Sequence, residues 1–357
     1  MKKNLWFIVL YSFIVFNGEI LNAQSISAST ESTKNTFLGE KRLTDFLDSI
    51  QGLDPETWIK EVSVKVDSTL NGQEVLNMKI NDADMAQLKE ACRKGKLALT
   101  LAKRIFPDFE KDSIYLNMVH EGHIPAELIS FDKNRFDFDK FAISIGYPGM
   151  WENDVYFFSK NTLIAKHQVY HRYGLALKHF KNQKNETLIY YPVNYGSGSG
   201  TWWFQFNFYK YSDNALLPVL TELKEANLQF PWGIRAYRMQ ATLISTDPLR
   251  LQFVYDCQLT SKENHFISIV NDSTEIHYRF DKAANRYVGD FANAHLDDRT
   301  LCANYLYFAS NSTELLFIHS HYALLRALLM GEDQEKRGAV IHYLNRVYKQ
   351  EMEKLKR

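Results

Sequence analysis

The sequence predicts an α+β protein: a central antiparallel β-rich region, with an N-terminal mixed segment before it and C-terminal helices after it. Three observations predict this. From about Phe138 to Phe291, short runs alternate apolar and polar residues and turn residues separate them. Over 37–137, helical spacing and strand-like alternation follow one another. Beyond 291, apolar residues recur at steps of three and four.

The chain opens with a basic pair, Lys2 and Lys3, then an apolar run from Leu5 to Phe16. Gly18 and Glu19 loosen it, and Leu21-Asn22-Ala23 supplies small-residue cleavage chemistry before Gln24. This is the layout of a secretory signal, and the run falls short of the roughly 20 apolar residues of a spanning helix. Residues 1–23 are therefore read as a bacterial signal peptide, with delivery to the periplasm or the cell exterior and a mature chain starting near Gln24. No Cys follows the cleavage point, so a lipid anchor is not expected.

Residues 24–36 are Ser/Thr-rich and read as a flexible leader. Leu38, Leu43, Phe46, Leu47 and Ile50 then keep helical spacing until Gly52 and Asp54-Pro55. Residues 58–66 and 73–80 suggest two strands around the Asn71-Gly72 turn. Asp82 or Asp84 is expected to cap a helix that runs to Phe106, before Pro107. In the β-rich region, 138–291, strands are expected at 141–147, 163–173, 187–195, 201–211, 235–245, 249–259, 265–270, 275–280 and 286–289. In the C-terminal region, 292–357, Ile318, Tyr322, Leu325 and Leu329 form one helical stripe. Val340, Leu344, Val347, Met352 and Leu355 form another, and Gly331 is expected at positive φ between them.

Composition excludes some functions. Forty-two basic and 42 acidic residues leave no basic field for nucleic acid. No later segment approaches a membrane span. Cys92, Cys257 and Cys302 are too far apart for a zinc knuckle or a redox pair, and Cys257 lies in the apolar alternation of 251–259.

The tempting motifs fail on spacing. His120-Glu121-Gly122-His123 places its histidines three apart where a metalloprotease helix needs four, although a loop site with Glu127 is conceivable. His167 and His171 lie four apart on a strand, about 13 Å. His319 and His321 are two apart on a helix and do not face one another. The 196–200 run (GSGSG) has Gly198 where a nucleophile elbow needs Ser, and reads as a hairpin loop. Ser130-Phe131-Asp132-Lys133 and Ser212-Asp213-Asn214 match two β-lactamase patterns without K-T-G. The Asp132–Asp139 stretch lacks the glycine and fifth ligand of a calcium loop. Neither metal nor cofactor is expected.

The richest candidate surface is aromatic. Strand alternation sends Trp202, Phe204, Phe206 and Phe208 to one face, expected to be core. It sends Trp203, Gln205, Asn207, Tyr209 and Tyr211 to the other. The second face mixes rings with amides, as a sugar site does, and Tyr191 and Tyr195 extend it. Buried amides need partners, so this face is expected to meet water or a polar ligand. The reading is an exported, non-enzymatic binding protein of the cell envelope, with a glycan or another envelope component as partner. The alternatives are a secreted hydrolase of glycan or envelope polymer, using Asp132, Asp137 or Asp139 as acid and base, and a structural or scaffolding partner.

Overall fold

The structure is a computed structural model. It describes residues 39–60, 73–106, 109, 122–132, 138–146, 152–170, 175–196, 202–212, 215–229, 233–291 and 313–355. The signal and leader, the Asn71-Gly72 turn, His120, His171, the 197–201 loop, Asp137 and Cys302 lie outside these residues.

The fold is α+β with a β-rich centre. In the N-terminal segment, α1 (Glu40–Gln51) buries Leu43, Leu47 and Ile50. Strand β1 spans Gln73–Lys79. Helix α2 (Asp82–Arg93) is capped one residue earlier than expected, because the Asn81 side chain accepts from the Asp84 N–H. The expected long helix is broken. Gly95 at φ +71° turns the chain into β2 (Lys96–Ala98) before α3 (Leu99–Ile105) resumes. Residues 56–60 are helical rather than the start of a strand.

The β-rich region holds two main sheets, not one. The first is five-stranded in the order β1-β7-β6-β5-β4, using β4 (Glu127–Ser130), β5 (Lys140–Gly146), β6 (Glu152–Ser159) and β7 (Thr162–Tyr170). The second is an eight-stranded meander. It runs through β8 (Lys178–Lys181), β9 (Thr187–Gly196), β10 (Trp202–Tyr211), β11 (Leu216–Leu228), β12 (Arg235–Thr246), β13 (Leu249–Thr260), β14 (Phe266–Asp281) and β15 (Arg286–Gly289). A small ribbon pairs β2 with β3 (His123–Pro125). The expected strands 265–270 and 275–280 are one continuous strand, β14, because Phe253 to Asp256 of β13 pair with its polar middle, Thr274 to Asn271.

The two sheets stack face to face. Ala142, Val155, Phe157, Ala165 and Val169 of the first meet Ile189, Tyr191, Val193, Tyr209 and Tyr211 of the second. The opposite face of the first sheet, with Phe141, Ile143, Ile145, Tyr156 and Phe158, packs under α2 and α3. Strand β5 is thus covered on both sides, which explains its unbroken apolar run. The second sheet curls back on itself: β15 lies against β11, and Lys210 Nζ of β10 sits 4.6 Å from the centre of the Phe280 ring on β14.

The C-terminal stripe divides into α4 (Thr313–Ser320) and α5 (Tyr322–Met330) at His321, followed by α6 (Gln334–Lys354). Gly331 closes α5 in extended backbone at φ −78°, not at positive φ. Helix α6 packs on β13 and β14. A buried polar link joins these helices to the sheet. Arg235, 2% exposed, holds Glu314 at 3.1 Å through Nε, and Glu314 also accepts from the Tyr343 hydroxyl. Cys257, buried and unpaired, lies near this link, and burial pushes its thiol up to about 12. Among the described residues no helix is long and apolar enough to cross a membrane.

Candidate functional site

The predicted aromatic face folds as a strand face, but it is not open. The β9–β10 hairpin pairs Trp203 with Tyr195, Gln205 with Val193, Asn207 with Tyr191 and Tyr209 with Ile189. Alternation along β10 therefore sorts these side chains as expected. The five-stranded sheet covers this face at its Tyr209 and Tyr211 end. Gln205, Asn207, Tyr209 and Tyr211 are all buried, and Trp203 is half-buried. The expectation that amides mark a wet face fails, because these side chains are buried and Asn207, Tyr209 and Tyr211 each have a hydrogen-bond partner.

Those partners divide the seam into three stretches. At one end, the Tyr211 hydroxyl donates to the Phe141 carbonyl at 3.2 Å and so ties β10 to β5. Burial, with the nearby Asp132 carboxylate second, holds the Tyr211 phenol well above its usual range. The charged groups of the seam collect here. Asp132 lies 3.8 Å from Lys181, and the Lys140 Nζ lies 5.8 Å from the Tyr211 ring centre.

The middle stretch is a relay. His167 of β7 meets the Tyr191 hydroxyl through Nδ1 at 2.5 Å, and Tyr191 also bonds Tyr209. The His167 ring lies 4.6 Å from those of Phe157 and Tyr209. Burial drives the imidazole down to about 3, so it is neutral in the folded protein. Its Nε2 is buried without a hydrogen-bond partner. Asn207 accepts from Thr221 at 3.2 Å. The sequence reading weighed His167 only as a metal ligand. The signal it lacked is that His167 stands between the apolar Ala165 and Val169 of the same β7 face.

The third stretch is different in kind. Gln205 is 0% exposed, yet neither Oε1 nor Nε2 has a partner. It lies between apolar strand neighbours, Val193 on β9 and Leu223 on β11. Two residues along the same face stands Trp203, whose ring is half-buried. A buried donor or acceptor left unmade costs about 1–3 kcal/mol. Among the described residues Gln205 is thus the seam amide with both functions unmet.

The other candidates take structural roles or fall outside the described residues. Asp132 Oδ2 accepts from the N–H groups of Asp139 and Lys140 at 2.8 and 2.9 Å, which staples the loop before β5. Its orientation serves the backbone rather than an acid–base pair. Ser130 and Ser212 make local turn bonds. His123 and Glu127 are exposed on separate strands, and among the described residues no three His, Cys, Asp or Glu converge on a metal position. Compared with protein-family models, curated proteins and solved structures, the chain matches none.

Proposed function

We propose that the chain is an exported binding protein of the cell envelope that takes its ligand at the Trp203–Gln205 end of β10. The observation that carries this reading is the Gln205 carboxamide, fully enclosed and unpartnered beside a half-buried indole. The indole offers a flat face for stacking, and the amide offers a donor and an acceptor one step further in. Tyr209 and Tyr211 belong to the same face but pack against the five-stranded sheet, and Asn207 is engaged by Thr221 of the neighbouring β11. Export is proposed from the N-terminal layout alone.

The test is a thermal-shift screen of the mature chain against glycans, peptides and lipids of the envelope, repeated with Trp203→Ala. The reading expects at least one class to raise the melting temperature, and the shift to vanish in the variant. A screen in which no class binds would end it. For export, N-terminal sequencing of soluble protein should begin near Gln24, and an intact Met1 would contradict it.

A further inference from the structure

We infer that the group received at Gln205 is uncharged and carries neighbouring hydroxyls, as a neutral sugar does. This rests on the binding reading above and narrows it to a ligand class.

The argument begins with what Gln205 can satisfy. Its amide has one acceptor oxygen and two N–H donors, and both ends are free. Two adjacent hydroxyls meet such a group edge to edge: one donates to Oε1 while the other accepts from Nε2. A carboxylate or phosphate would accept from Nε2 and face Oε1 as a repelling acceptor. An ammonium would donate to Oε1 and leave the N–H donors idle.

The surroundings point the same way. The strand neighbours of Gln205 are Val193 and Leu223, and Trp203 pairs with Ala226 on β11. None of these can neutralise a charge. The charged groups that meet the seam, Asp132, Lys140 and Lys181, gather at Tyr211. Tyr211 is six residues along β10, about 20 Å away. An ion brought to Gln205 would lose its water, and the described strand neighbours on its own face, Val193 and Leu223, offer no opposite charge, which is costly. A hydroxyl pair would exchange its water bonds for the amide's. The half-buried indole of Trp203 supplies an apolar face for the C–H side of a sugar ring.

The experiment uses the mature chain and a glycan array. Neutral oligosaccharides ending in glucose, galactose or mannose are compared with uronic-acid and sulfated ones. Hits are titrated against the parent and Gln205→Leu, and both proteins are melted without ligand. The expected result is binding to neutral glycans, with anionic counterparts weaker by about tenfold or more. Gln205→Leu should lose about tenfold in affinity yet melt no lower than the parent, since leucine removes two unmet polar atoms at similar volume. Preference for anionic glycans, or Trp203-dependent binding of a peptide or lipid with no glycan bound, overturns this inference and leaves the site reading intact. If no ligand of any class binds, both fail. Gln205→Leu melting several degrees lower would show the amide to be held internally, and both fail again.

Discussion

At the scale of single residues, burial rather than polarity decides what each seam side chain does. The sequence shows which residues share a face of β10, because period-two alternation needs only the strand itself. It does not show that a second sheet lies over the Tyr209 and Tyr211 end of that face, because that depends on pairings far apart in the chain. Asn207 and Gln205 look alike in sequence; only the fold gives one a partner and leaves the other without. His167 carries the clearest residue-scale prediction. Its folded form is neutral down to about pH 3, while the unfolded chain takes up a proton near 6.5. Stability is therefore complete above 6.5 and falls as the pH drops towards 3. The groups facing the ring, Phe157, Tyr191 and Tyr209, supply no charge to offset this. Between pH 7 and pH 4.5 the parent should lose about 2–3 kcal/mol through this one residue. Urea titrations of parent and His167→Gln at both pH values check it: the variant should be less sensitive by that amount. Equal acid sensitivity would contradict it.

At the scale of elements, turns and strands differ in how plainly the sequence marks them. Asn185, Asn264 and Asn285 take positive φ in the turns after β8, β13 and β14, where asparagine is the usual choice. Lys160 does the same between β6 and β7 at φ 51°, with no such advantage. Lys160→Asn should stabilise the protein by about 1 kcal/mol in chemical unfolding. Strand β11 escaped the sequence reading because two bulges break its alternation, one facing Phe204 and Gln205 and one facing Phe208 and Tyr209. The helix expected from Asp82 to Phe106 breaks after α2 because Gly95 takes positive φ, a conformation that ends a helix. Gly289 shows a tighter constraint. A Cβ there would meet Phe291 at 2.6 Å, Ile276 at 2.9 Å and Tyr278 at 3.0 Å. Gly289→Ala should cost about 1–3 kcal/mol and loosen β15 from β14, seen as a lower melting temperature.

At the scale of the whole molecule, two devices join parts that are distant in sequence. One is the seam, where β4–β7 lie on β9 and β10. The other is the Arg235–Glu314–Tyr343 link, which fixes the C-terminal helices to the start of β12. The helices themselves were legible from their stripes, but their anchor was not, since Arg235 and Glu314 lie 79 residues apart. Glu314→Ala should destabilise the protein by about 3–5 kcal/mol, because it takes the carboxylate from a buried guanidinium. A loss under about 1 kcal/mol, the range of exposed ion pairs, would show the link to be incidental.

The central claim is that a ligand enters the seam at the Trp203 end and reaches Gln205. Amide hydrogen exchange of the mature chain, with and without a ligand found in the screen, tests this most directly. The account predicts slower exchange on binding in β10 at residues 202–205 and in the facing part of β9 at 193–196, with little change at Tyr211. Protection confined to other elements, with β9 and β10 unaltered, would contradict it.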